Sequence, residues 1–154
     1  MIRVATDDDA PAMGRLAVEL VHAHHAFDPL RFAVFDDIER GYEAFLRREL
    51  GDREAACVVA EADGVVVGYA YGRLEPRSFV SLLDACAFLH DLYVEAPFRR
   101  AGVAAALVEA IARALRALGA PRLLLGVAAK NEAAQGLFEK LGFRPTMIEM
   151  TREL

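Results

Sequence analysis

A short run of arginines and small residues, 99–104, has the composition of a phosphate-binding turn. It reads Arg-Arg-Ala-Gly-Val-Ala and joins a strand-like apolar stretch, residues 88–94, to a stretch with helical apolar spacing that Gly119 and Pro121 end. A helix that begins near Gly102 presents unpaired N–H groups and partial positive charge, and a glycine lets an anion approach the backbone. The sequence therefore predicts a pyrophosphate site here, although the glycine spacings of the common nucleotide loops are absent.

His90, in the strand before this turn, is a candidate general base. Side chains alternate along a strand, so we expect His90, Leu92 and Val94 on one face and Asp91 and Tyr93 on the other. An imidazole, with an ordinary pKa of about 6.5, accepts protons near neutral pH, directly or through a water. A structural histidine, hydrogen-bonded in a half-buried strand, is an equally supported interpretation, and Asp91 ranks below both.

The elements that must position these residues form a single domain, residues 1–154. Strands are predicted at residues 2–5, 56–61, 65–71, 88–94, 123–127 and 143–152, and helices from about 9 to 26, 36 to 50, 102 to 118 and 131 to 141. Asp63-Gly64 predicts a hairpin between the second and third strands. This order predicts an α/β (α+β) fold with helices on both faces of a mixed, twisted sheet of six to seven strands. Strand 88–94 should separate from strand 123–127, because Pro97 and the loop around it must release their pairing.

The phosphate turn and a second motif resemble the GNAT superfamily of N-acetyltransferases. Residues 99–104 match its coenzyme A signature, Q/R-x-x-G-x-G/A. A strand and then Asn131, Ala134 and the run Leu-Phe-Glu-Lys-Leu-Gly-Phe at 137–143 resemble its next block, N-x-x-A-x-x-[LF]-[YF]-E-K-x-G-F. The resemblance is dense over residues 86–145 and looser elsewhere.

The resemblance implies a GNAT-like fold that binds acetyl-CoA as cosubstrate and uses no metal. The pantetheine arm, built of amides, would add to the open edge of strand 88–94, where an N–H would also polarise the thioester. The coenzyme-binding residues that it implies are Leu92, Tyr93, Val94, Arg99, Arg100, Ala101, Gly102, Val103, Ala104, Asn131, Ala134 and Phe138. Several members that resemble this chain carry a Glu or His base at the position of His90.

Phe138 departs from the superfamily pattern, because many members have a tyrosine there as general acid toward the sulfur. Phenylalanine donates no proton. A thiol of pKa about 8.5 nevertheless leaves as thiolate at a cost of only about 2 kcal/mol at pH 7. Phe138 also lies on an apolar helix face with Leu137 and Leu141, so packing alone explains it.

The histidines at 22, 24 and 25 do not predict a metal site. On a helix only His22 and His25 share a face, His24 points inward, and no carboxylate or cysteine offers ligand spacing nearby. Core or substrate-pocket histidines are the favoured interpretation.

The composition argues against a nucleic-acid-binding, membrane-spanning or secreted protein. The net charge of −5 and pI near 5.4 argue against nucleic-acid binding. No long apolar run is free of charges, and the acidic N-terminus lacks an apolar signal core, so neither a membrane span nor secretion is expected. Cys57 and Cys86 are expected to be reduced core residues in a cytoplasmic protein. A homodimer is compatible with the sequence.

Two functions follow from these features. The first is an acetyl-CoA-dependent N-acetyltransferase that transfers the acetyl group directly to a primary amine of a small molecule or peptide, since no cysteine lies where a covalent intermediate would need it. The second is a non-catalytic acyl-CoA-binding sensor or interaction domain, which stays open because Phe138 cannot act as the general acid. Within the resemblance, residues 10–50 wall the acceptor site, and they are the least motif-like part of the chain.

Overall fold

The computed structural model describes residues 1–154, which contain five strands and four α-helices. The strands are β1 (Ile2–Val4), β2 (Ala55–Ala62), β3 (Val65–Glu75), β4 (Cys86–Val94) and β5 (Leu123–Leu125). The helices are α1 (Ala10–Phe27), α2 (Ile38–Leu50), α3 (Val103–Ala117) and α4 (Glu132–Lys140). Along the chain these elements follow the order β1-α1-α2-β2-β3-β4-α3-β5-α4. None of the helices combines the length and apolar character that a membrane crossing requires.

The strands form one mixed sheet in the order β1-β2-β3-β4-β5. The first four strands pair antiparallel, and Asp63 and Gly64 make the β2–β3 hairpin with positive φ angles of 50° and 78°. β5 pairs parallel with β4 after the crossover through α3. The predicted α/β class, single sheet and hairpin are therefore confirmed.

Each face of the sheet carries its own apolar core. α1 and α2 cover one face, with Met13, Leu46 and Tyr69 fully buried there. We call it the acceptor face, after the expectation from the family resemblance that these helices wall the acceptor site. α3 and α4 cover the other face, where Leu107, Ile111 and Phe138 are among the buried side chains. Cys57 and Cys86 are both buried and neither forms a disulfide. Helices on both faces agree with the prediction.

Two glycines of β3 let α3 lie close to the sheet. A Cβ atom on Gly68 would come within 3.4 Å of Leu107 Cδ1, and one on Gly72 would come within 2.9 Å of Leu115 Cδ1. The same Cβ atoms would come within 2.9 Å of Tyr93 O and 2.8 Å of Phe88 O in β4. The two glycines therefore leave room both for the leucine side chains of α3 and for the backbone of the neighbouring strand.

β4 and β5 separate part of the way along β4, as the sequence predicts. Their pairing covers only Ala87–Leu123, Phe88–Leu124 and Leu89–Leu125. β5 ends at Leu125, while β4 continues to Val94. The backbone of residues 90–94 consequently has no neighbouring strand on its β5 side.

A β-bulge in β4 changes which face each side chain occupies. In the β3–β4 ladder Tyr71 pairs with Asp91 and Gly72 pairs with Leu89, so His90 is an extra residue. Leu89, Leu92 and Val94 pack toward α3, whereas His90 stacks on Tyr71 of the acceptor face. The predicted alternation, with His90 on the face of Leu92 and Val94, is therefore wrong: the bulge puts His90 beside Asp91 instead.

The predicted strand at residues 143–152 is absent, so the sheet has five strands rather than six to seven. Residues 143–154 contain neither helix nor strand, and Met147, Ile148 and Met150 are exposed. Pro145 has no N–H to donate to a ladder, and β5, at the sheet edge, offers only three residues as a partner. Glu149 of the tail forms an ion pair with Arg31, which lies in the loop between α1 and α2.

Candidate active site

The phosphate turn, residues 99–104, is a left-handed turn that leads into α3. Arg100 and Gly102 have positive φ angles of 64° and 79°, and Gly102 is the N-cap of the helix. None of the backbone N–H groups of residues 100–105 donates a hydrogen bond within the protein. The first to do so is that of Ala106, to Gly102 O at 3.0 Å. Six consecutive donors at a helix N-terminus are suited to phosphate oxygens.

Arg99 joins this turn to the end of β4. Its Nε donates to Val94 O at 2.8 Å, and its guanidinium carbon lies 5.3 Å from the centre of the Tyr93 ring. These contacts hold the guanidinium over the open edge of β4. Its other N–H groups make no hydrogen bond within the protein, so they are free to add charge-assisted bonds to an anion.

The predicted coenzyme residues of β4 lie where this strand has lost its β5 neighbour. Leu92 and Tyr93 are half-buried and Val94 is buried, so their side chains are packed while one edge of their backbone is open. An extended chain of amides could hydrogen-bond along this edge as an added strand would. The structure thus brings Leu92, Tyr93 and Val94 next to the phosphate turn.

The second motif forms α4, which packs against the α3-side core. Asn131 is the N-cap, and its Oδ1 accepts from the Ala134 N–H at 3.1 Å, as capping predicts. Ala134 packs against the α3-side core. Phe138 is 8% exposed and meets Phe143 edge-to-face at 5.6 Å. Packing therefore accounts for Phe138.

His90 is held on the acceptor face by three neighbours. Its ring is stacked on Tyr71, with centroids 5.5 Å apart, and lies 4.8 Å from the Phe88 ring. Its Nε2 bonds Glu75 Oε1 at 2.9 Å. Its side chain is 37% exposed, so the ring is oriented yet accessible. If Nε2 carries the proton that Glu75 accepts, Nδ1 is the free acceptor.

Asp91, next to His90, is a buried carboxylate. It is 8% exposed, and Tyr69 OH donates to its Oδ2 at 3.0 Å. Burial raises its pKa above the ordinary value, against the opposing effects of the Tyr69 hydroxyl, His90 and His24. Burial and the charge of Asp91 together raise the pKa of Tyr42 to about 12.

Alternate side chains of β3 contact His90 and Asp91, and the sequence analysis does not identify them. Tyr69 contacts Asp91, Tyr71 contacts His90, and Glu75 bonds His90. Tyr71 OH in turn donates to Glu49 Oε2 of α2 at 2.7 Å, and Glu49 is 4% exposed. A period of two in polar side chains along a buried strand was the available signal.

Two of the three α1 histidines, His24 and His25, make backbone contacts, while His22 is exposed. His24 Nδ1 lies 2.9 Å from Leu20 O, and His25 Nδ1 lies 2.7 Å from Phe32 O. No group of three or more His, Cys, Asp or Glu side chains is placed to hold a metal ion. His24 stacks edge-on against Phe32 at 5.0 Å and lies close enough to Asp91 to affect its pKa. It therefore belongs to the acceptor face.

Two curated relatives share about a third of their aligned residues with this chain. An N-alpha-acetyltransferase of Sulfurisphaera tokodaii is 33% identical over 110 residues, which is 68% of this chain and 65% of that protein. The uncharacterised N-acetyltransferase YycN of Bacillus subtilis is 35% identical over 89 residues, 58% of this chain and 54% of that protein. The chain thus spans less than two thirds of the length of either relative.

Solved structures share the fold over the whole chain. A mutant form of the BH1408 protein of Bacillus halodurans superposes with a TM-score of 0.86 at 20% identity, covering 100% of this chain and 99% of that one. The aminoglycoside N-acetyltransferase AAC(6')-Iy in complex with CoA gives 0.79 at 21% identity, covering 100% and 93%. A model of the acetyltransferase (GNAT) family matches residues 20–143, and the chain belongs to that family.

Proposed function

We propose that this protein is an N-acetyltransferase that moves an acetyl group from acetyl-CoA to a primary amine. The observation that carries the proposal is the junction of β4 and α3. There, the open edge of β4, which ends at Val94, is followed after a short turn at 95–99 by six unpaired N–H groups at 100–105. Together they match the two chemically different parts of coenzyme A, an amide chain and a pyrophosphate. Family membership and the named N-acetyltransferase relatives support the same activity.

Coenzyme binding divides between the two parts of this junction. The N–H groups of Arg100, Ala101, Gly102, Val103 and Ala104 are assigned to the pyrophosphate, with charge added by the arginine side chains. The backbone at 92–94 is assigned to the pantetheine amides, which leaves the thioester end near the bulge. Asn131, Ala134 and Phe138 support the coenzyme from α4, chiefly by holding that helix and its loop in place.

His90 is assigned as the general base. Glu75 holds Nε2, so Nδ1 is the atom that accepts a proton from the attacking nitrogen. The freed nitrogen lone pair attacks the thioester carbonyl carbon. As the carbon–sulfur bond breaks, the nitrogen loses its next proton to solvent, and the sulfur leaves as a thiolate that solvent then protonates. Stabilisation of the developing oxyanion is assigned to a backbone N–H on the open edge of β4, which has no strand partner. Stacking on Tyr71 restricts the imidazole to one orientation, which such a role requires.

The acceptor enters on the face walled by α1 and α2, because His90, Asp91 and His24 all face that side. A small amine or a short peptide amine fits this assignment. AAC(6')-Iy, whose fold this chain shares, is named for aminoglycoside amines, and this supports a small-molecule acceptor.

Release of free thiol from acetyl-CoA across a panel of amines tests the proposal. The panel contains n-butylamine, spermidine, neamine, free lysine and a peptide with an unblocked N-terminus. We expect turnover of at least one amine above the rate of acetyl-CoA hydrolysis. Phe138, which supplies no general acid, favours the second function, acyl-CoA binding without transfer. Tight acetyl-CoA binding with no turnover of any amine would establish that function instead.

A further inference from the structure

Asp91 is a buried carboxylate for which the protein supplies no fixed cation. It forms no ion pair with any arginine or lysine, and its single hydrogen bond comes from the neutral Tyr69 hydroxyl. The titratable groups that face it from the surrounding elements are His24 of α1, Tyr42 of α2, Cys57 of β2, Tyr69 of β3 and His90 of β4. A buried charge without a partner costs several kcal/mol in order-of-magnitude terms, and a cationic ligand beside Asp91 would offset this cost.

The second carboxylate oxygen of Asp91 is open. Oδ2 is occupied by Tyr69, whereas Oδ1 accepts no hydrogen bond from the protein. No fully buried side-chain oxygen of the chain lacks a partner, so Oδ1 must reach solvent space. The groups around it place this opening between α1 and α2, on the acceptor face. One oxygen is therefore fixed by the protein and the other is available to a ligand.

We propose that Asp91 is the counter-ion for the ammonium group of the acceptor, and that the acceptor is an alkylamine that is cationic at pH 7. Arylamines and other amines that are neutral at that pH would be poor acceptors. The inference rests on the proposed transferase function and adds the charge class of its substrate.

This role is compatible with proton transfer to His90. An anchor for an ammonium normally opposes its deprotonation, because it stabilises the charged form. Here the positive charge moves from the amine nitrogen to the imidazole, and His90 adjoins Asp91 and affects its pKa. Asp91 therefore stabilises the charge before and after the transfer, so the attraction gained on binding is not lost at that step.

The first test measures binding of n-butylammonium and of neutral 1-butanol to the protein saturated with coenzyme A, which has no acetyl group to transfer. We expect the ammonium to bind at least tenfold more tightly. Asp91→Asn, which keeps an oxygen for Tyr69, should remove this preference. Asp63→Asn is the matched control, since it removes the same charge at an exposed turn with a φ of 50° that asparagine tolerates. Equal binding of the two probes to the wild type would overturn the inference without any variant.

The second test measures the thermal stability of the ligand-free protein. Because the pKa of Asp91 is raised in the folded state, its ionisation opposes folding, and this cost appears as pH rises through that pKa. Asp91→Asn should therefore melt no lower than the wild type at pH 7, and its relative stability should rise with pH. A lower melting temperature would show that the carboxylate is already paired inside the protein, with His24 or His90, and would overturn the inference.

The two tests separate failure of the inference from failure of the transferase proposal. Binding of n-butylammonium in the presence of coenzyme A requires no turnover. Turnover of n-butylamine and aniline with equal kcat/KM would refute the role of Asp91 and leave the transferase in place. Selective ammonium binding without turnover of any amine would support the Asp91 site and refute the transferase.

Discussion

Replacing Gly102 with glutamate should eliminate measurable coenzyme A binding while the fold persists. Gly102 begins α3 with a φ of 79°, and a Cβ added there meets no atom within 4 Å. The new side chain therefore has space, and its carboxylate adds a negative charge to the phosphate turn. The substitution tests the assignment of the pyrophosphate to residues 100–104.

The expected loss follows from charge repulsion. A carboxylate and a phosphate oxygen about 4 Å apart repel by about 4 kcal/mol at an effective dielectric constant near 20, which is typical near a protein surface. This corresponds to a Kd that is about a thousandfold weaker. A non-glycine residue in the left-handed region separately costs about 1–2 kcal/mol of stability.

Gly64 provides a matched control for that backbone strain. Its φ of 78° is nearly the same, and a Cβ there also meets no atom within 4 Å. Gly64→Glu in the β2–β3 hairpin should therefore lose the same stability and keep wild-type affinity for coenzyme A. Titration calorimetry gives the affinities and thermal melting gives the stabilities. If Gly102→Glu binds coenzyme A as tightly as Gly64→Glu, the phosphates do not lie at this turn.

Three further predictions concern catalysis and stability. His90→Gln should lower the rate at pH 7 by about 10²–10⁴-fold with little change in coenzyme A affinity, and a rate within a few-fold of wild type would assign the base to another group or to water. Phe138→Tyr should raise steady-state turnover by no more than about thirtyfold, because the leaving step has only about 2 kcal/mol to gain; a larger increase would refute the thiolate argument. Arg3 holds the pKa of buried Asp9 at about 2, mainly through its side-chain hydrogen bond, so this contribution to stability is present above about pH 4 and lost as pH falls through about 2. Asp9→Asn should therefore cost about 2 kcal/mol in denaturant unfolding at pH 7, with a difference from wild type that shrinks below pH 4, and a pH-independent difference would show that the charge is not responsible.

The parts of the fold that local chain signals specify could be predicted from the sequence. Gly102 and Asn131 mark the starts of α3 and α4, and Gly119 and Pro121 mark the end of α3. These signals act within a few residues, through caps and backbone conformation, so they can be recognised without knowing the tertiary structure. The phosphate turn follows from the same signals.

The acceptor face could not be predicted in the same way, because its contacts join distant residues. Whether His90 continues the pleat or bulges depends on its register against Tyr71 and Gly72, about twenty positions earlier. Tyr71 likewise finds Glu49 in a helix 22 residues before it. The local sequence of residues 143–152 predicts a strand, but local sequence does not report whether a partner strand with free backbone groups is available.

The bulge makes His90 supernumerary in the sheet. Leu89 and Asp91 already face consecutive partners, Gly72 and Tyr71, so a chain lacking His90 could keep every other β3–β4 pair and every other side chain on its present face. A regular pleat offers one side chain to each face for every two residues, and the insertion adds one more to the acceptor face without displacing any. The group assigned to proton transfer is thus the one residue of β4 that the architecture does not need.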